Sequence, residues 1–155
     1  MDLIARLTEE HQDYVIKLST LAETVEGIRI NGRGDYFVET LDGLLVPLTT
    51  ELDDHARREE DFLFPRILER APDSPIPVML EDHAAIREAS QGFASGYLLW
   101  RDGDDDAFDR WATFAETLRG TFSAHMQKEN LILFPLARRV LSAAEIARLV
   151  VEESR

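Results

Sequence analysis

The sequence predicts an all-α protein, a single domain over residues 1–155 folded as an antiparallel four-helix bundle with a short C-terminal fifth helix. In four long segments, apolar residues recur at alternating spacings of three and four, as on a helix with one buried face. Clusters of Gly, Pro, Asn and Asp separate those segments, and no stretch alternates apolar and polar residues as a strand pair would.

The first helix carries Ile4, Leu7, His11, Tyr14, Leu18, Leu21, Val25 and Ile28 without a slip, until Asn31-Gly32-Arg33-Gly34 stops it. The second runs from about Asp35 to near Arg70, with Leu41, Leu45, Leu48, Leu52, His55, Glu59 and Phe62 on its stripe. The third follows Asp73-Ser74-Pro75-Ile76-Pro77, where Ser and Pro suit a cap and first turn. Its stripe is Ile76, Met79, His83, Ile86, Ser90, Phe93, Tyr97 and Trp100. An acidic loop from Arg101 to Asp106 connects to the fourth helix; counted from Asp102 as a calcium-binding EF-hand loop, it has no Gly at the sixth position and Thr113 where the twelfth needs Glu. That helix presents Trp111, Ala115, Leu118, Phe122, His125, Glu129, Ile132 and Leu136. Ser142 and Glu145 form a capping-box sequence for the fifth helix, which reaches Val150-Val151. Pro47, Pro65 and Pro135 fall inside helices, where kinks or local breaks are expected.

Composition narrows the function classes. Seventeen Lys and Arg against 30 Asp and Glu give a net charge of −13, which disfavours nucleic acid and anionic membrane as partners. No stretch approaches the roughly 18 apolar residues of a membrane span, and the start lacks a secretory pattern, so a cytoplasmic location is expected. With no cysteine, thiol chemistry is excluded and any metal must be held by His and carboxylate.

The chain repeats itself. His55-Ala-Arg-Arg-Glu59 through Leu63-Phe64-Pro65 aligns without a gap on His125-Met-Gln-Lys-Glu129 through Leu133-Phe134-Pro135, at an offset of 70 residues. An offset of 72 brings Glu9-Glu10-His11 onto Glu81-Asp82-His83. Each half is thus a helix with one His followed by a helix with HxxxE, and all four histidines are used.

His11, His55, Glu59, His83, His125 and Glu129 occupy stripe positions that otherwise hold apolar side chains, so they are expected to point inward. Residues at i and i+4 share a helical face, and each HxxxE therefore presents an imidazole and a carboxylate to one interior region. Two carboxylates on apolar stripes without Lys or Arg carry a large desolvation cost, which metal cations would remove. Four imidazoles and two carboxylates able to bridge match two metals better than one, and the donor set suits iron, manganese or zinc. A ferritin-like centre needs Glu three residues before His, where this chain has Thr8, Leu52, Leu80 and Phe122.

Among the neighbours, Glu60 and Asp61 lie off the stripe and are expected in solvent, whereas for Glu10 and Asp82 a place beside an imidazole N–H and a place at the surface are equally open. The aromatic residues Tyr14, Phe93, Tyr97, Trp100, Trp111 and Phe122 are expected to pack in the core. The two Leu-Phe-Pro segments are expected to set kinks and packing below the site.

This order of motifs, from His11 to about Leu136, resembles the hemerythrin-like, or HHE cation-binding, domain. The resemblance implies a non-heme di-iron centre with Glu59 and Glu129 bridging, the four histidines as terminal ligands, and an oxo or hydroxo bridge. The dioxygen carriers of the family have a second His one turn after the third-helix ligand, where Arg87 stands here, and an Asp five residues after the last His, where Asn130 stands. Four His and two Glu are similar to the branch that includes the repair-of-iron-centres proteins and members that handle nitric oxide or peroxide. Fewer protein ligands imply an open position at each iron, suited to reactive chemistry or exchange. The implied function is binding of, or reaction with, dioxygen, nitric oxide or peroxide, in oxidative or nitrosative stress or in iron handling. Two alternatives stay open: a non-catalytic iron or dioxygen store or sensor read by a protein partner, and a structural bundle fixed by zinc. Manganese also suits the donors, and the oligomeric state is unassigned.

Overall fold

The computed structural model describes residues 1–153. Helix α1 (Leu3–Asn31) is followed by α2 (35–70), α3 (Ile76–Arg101), α4 (108–140) and α5 (Ala143–Glu153), with no strand among the described residues. α1 packs against α2 and α4, α3 packs against α4, and α2 meets α3, while α5 lies across α1 and α2 at one end. No described helix is long and apolar enough to cross a membrane.

The helix ends follow from local chemistry. Asp2 opens α1 by accepting a hydrogen bond from the Ala5 N–H at 2.8 Å. Gly32 closes it at φ 78°, a conformation that costs Gly little, with its N–H on the Ile28 carbonyl. The capping box of α5 forms in both directions: the Glu145 N–H donates to Ser142 Oγ at 3.1 Å and the Ser142 N–H to Glu145 Oε1 at 3.2 Å. The α3 cap differs from the sequence expectation. Pro75 occupies the cap position and Ser74 Oγ makes no cap hydrogen bond.

The internal prolines do not break their helices. α2 passes through π-turns at Pro47–Glu51 and Glu59–Leu63, and α4 through one at Glu129–Leu133. Pro65 and Pro135 lack the N–H that an α-turn would use, and their rings would crowd the carbonyl four residues back. The preceding residue reaches one step further instead: the Phe64 N–H bonds the Glu59 carbonyl, and the Phe134 N–H bonds that of Glu129. Each π-turn inserts one residue, and beyond each Glu the inward face moves on by one position. Ile132, expected in the stripe, is therefore 56% exposed, while Leu133, Phe134 and Ala137 are buried; Phe62 and Leu136 are likewise only half-buried. In α1 and α3 every predicted stripe residue is buried.

Two apolar clusters fill the bundle. One contains Tyr14, Leu18, Leu52, Ile86, Phe93, Trp111, Phe122 and their neighbours, and the other Leu3, Leu7, Leu63, Phe64, Met79, Leu133, Phe134 and the α5 residues Ile146 and Leu149. Close approach of α3 and α4 in the first cluster requires Gly96, where an added Cβ would meet Trp111 Cβ at 2.6 Å. Between the clusters lies a buried layer of His and Glu: His11 falls between Leu7 and Tyr14, and Glu59 between Leu52 and Leu63.

Candidate metal centre

Each of the four long helices contributes one histidine, and α2 and α4 each add a glutamate, all six residues being buried. The i, i+4 spacing directs His125 Nε2 to 3.1 Å from Glu129 Oε1, and His55 Nε2 to 3.7 Å from Glu59 Oε2. Across the bundle, His83 Nε2 lies 3.1 Å from Glu59 Oε1 and His11 Nε2 lies 3.2 Å from Glu129 Oε1. His83 Nε2 and His125 Nε2 are 3.2 Å apart. The result is two overlapping groups, His11, His55, Glu59 and Glu129 on one side and Glu59, His83, His125 and Glu129 on the other. Within each group, one ligand atom from every residue lies within 4.8 Å of the rest.

The outward nitrogen of every imidazole has an oxygen partner. His55 Nδ1 donates to Glu10 at 2.8 Å, His83 Nδ1 to Glu60 at 2.6 Å, His125 Nδ1 to Asp82 at 3.0 Å and His11 Nδ1 to Asn130 Oδ1 at 2.8 Å. Three of these acceptors are held by cations: Glu10 by Arg58, Glu60 by Arg87 and Asp82 by Lys128. Burial would push each of the three carboxyls up, but the neighbouring donors outweigh it, and Glu10 is held down at about 2. An ionised carboxylate only accepts, so the imidazole proton is on Nδ1 and the Nε2 lone pair faces the interior. Burial lowers His55 and His83 further toward the neutral form; burial acts on His125 the same way, but the Glu129 and Asp82 carboxylates outweigh it and raise that imidazole.

Four inward imidazole nitrogens and two carboxylates therefore converge in one buried layer. His11 Nε2, His55 Nε2, Glu59 Oε2 and both Glu129 oxygens are buried with no hydrogen-bond partner, although several lie close together. Burial and then the Glu129 charge push Glu59 well above the ordinary carboxylate range. Burial acts on Glu129 the same way, but polar contacts with Glu59, His11 and His125 hold it well below. Two such carboxylates ionise together only beside positive charge, and the donor set fits metal cations.

Aromatic rings close the layer. Phe64 stacks on His83 with centroids 5.5 Å apart, Phe134 stacks on His11 at 5.5 Å, and Tyr14 meets His55 edge-on at 5.5 Å. Both Leu-Phe-Pro segments thus support an imidazole directly, beyond the packing role expected for them. Tyr97 stands apart, its hydroxyl donating to Asp42 Oδ1 at 2.8 Å, with the Val38 carbonyl 3.1 Å away.

The six residues named from the sequence all meet in this layer. Glu60 overturns its solvent expectation: off the stripe of its own helix, it faces the groove toward α3 and accepts the hydrogen bond of His83 Nδ1–H, while Asp61 is exposed. Glu10 and Asp82 resolve as imidazole partners. Asn130 was given no role by sequence reasoning. The signal was its place immediately after the second HxxxE, where Glu60 follows the first.

A family model described as the hemerythrin HHE cation binding domain matches residues 2–137. No curated protein matches the chain.

Proposed function

Because this chain belongs to the hemerythrin HHE cation-binding family, we propose that it is a dinuclear iron protein that binds or reacts with dioxygen, nitric oxide or peroxide. One observation carries the proposal: each of the two histidine pairs joins the same two glutamates in a group of four converging ligand atoms. Glu59 and Glu129 would be shared between two ions, with His11 and His55 on one and His83 and His125 on the other. Each shared carboxylate would place its negative charge next to both ions at once.

Bound iron would supply a redox couple and, with four protein donors to each ion, coordination positions free for a small ligand. The chain's own residues do the rest. Glu10, Glu60, Asp82 and Asn130 hold each imidazole with its lone pair inward, and Phe64, Phe134 and Tyr14 limit access of bulk water to the layer. Metal-free protein loaded anaerobically with Fe(II) tests the proposal. Spectral changes on adding dioxygen, nitric oxide or peroxide, lost in Glu129→Ala, are the expected result. Failure to retain iron, or iron inert to all three, would overturn it. Consumption of a reactant over many cycles would make the protein a catalyst, and one equivalent per centre a sensor or store.

A further inference from the structure

We propose that the two metal positions are unequal, the His83–His125 position holding its ion more tightly than the His11–His55 position, because one of the four imidazole supports is neutral. This rests on the dinuclear arrangement above. The internal repeat supplies the comparison. At its two offsets, Glu10 on His55 corresponds to Asp82 on His125, and the cation beside each corresponds as well, Arg58 to Lys128. The remaining pair of supports breaks the symmetry. Glu60 on His83 is matched by Asn130 on His11, and Arg87, which holds Glu60 at 2.9 Å, is matched by Val15, 56% exposed.

The ion pair is therefore replaced as a unit by two neutral residues while the contact survives, at 2.8 Å from His11 Nδ1 to Asn130 Oδ1. Geometry is conserved between the halves and charge is not. A carboxylate on Nδ1–H makes the opposite nitrogen a stronger donor, and loss of such a partner typically costs about 10–100-fold in metal affinity. The His83–His125 position has two charged supports and the His11–His55 position has one.

Anaerobic titration of metal-free protein with Fe(II), in competition with a chromophoric chelator, tests this without any turnover. Repulsion between two cations also separates the binding steps, so the change in the gap is the readout. Asn130→Asp is expected to tighten the weaker step by about 10–100-fold and leave the tighter one in place, and Glu60→Gln to weaken the tighter step by a similar factor. Circular dichroism verifies that both variants are folded. Two ions per chain with the same gap in wild type and both variants would overturn the inequality and leave the dinuclear proposal standing. Fewer than two ions in wild type would overturn the dinuclear proposal and this one with it.

Discussion

Glu59→Gln should change the stability of metal-free and metal-loaded protein in opposite directions. The substitution keeps the shape of a fully buried side chain and removes its charge. Ligand atoms of Glu59 and Glu129 lie within 4.8 Å of each other. Two unit charges at that distance repel by roughly 3.5 kcal/mol at an effective dielectric constant of about 20. Wild type can relieve that repulsion by holding a proton on Glu59, so the expected gain from Gln is smaller, about 1–3 kcal/mol. For a chain of this size that raises Tm by roughly 3–10 °C. With metal the order reverses. An ion present at 1,000 times its Kd stabilises wild type by about 4 kcal/mol, and the variant, missing a shared ligand, should keep only a fraction of it. Thermal and urea unfolding of both proteins, chelator-treated and reloaded, measure the four stabilities. A metal-free Glu59→Gln protein less stable than metal-free wild type, with equal gains on reloading, would refute the charge argument.

Three further outcomes check the fold. Leu133→Ala should cost about 2–5 kcal/mol and Ile132→Ala under about 0.5, the reverse of an unbroken helical stripe, and urea midpoints of the pair decide whether the π-turn shifts the face. Gly96→Ala should lose about 1–3 kcal/mol because its Cβ would run into Trp111, whereas Gly120→Ala, with nothing within 4 Å, should gain up to about 1 kcal/mol in thermal melts. Asp2→Ala should cost about 0.5–2 kcal/mol through the lost α1 cap. The Arg138 hydrogen bond lowers the folded-state pKa of Asp2, so its contribution is present above the unfolded value of 3.8 and fades as pH falls through the lower folded one. Acid titrations of wild type and variant should therefore converge at low pH.

Much of this architecture is legible in the chain because its signals are periodic. α1 and α3 have no internal break apart from Pro77 in the first turn of α3, and the 3-4 spacing finds their buried faces residue by residue. The six central residues are legible because they repeat with their spacing intact and stand where Leu or Phe would otherwise be. The pattern fails after Glu59 and Glu129, where a proline two residues past Leu63 or Leu133 forces a turn of different length and the phase slips by one. Glu60 and Asn130 escape for another reason. A stripe describes which residues face a helix's own core, whereas these two reach across grooves to histidines on other helices, a tertiary relation that single-helix periodicity does not contain. The gapless repeat does contain it, since both follow the Glu of HxxxE directly.

The central claim is that two cations occupy a layer of six buried ligands, and the metal content of the purified chain tests it most directly. Elemental analysis after expression in iron-replete medium should give about two irons per chain, falling in His125→Ala and Glu59→Ala. One ion per chain, none, or full metal content in both variants would contradict the account.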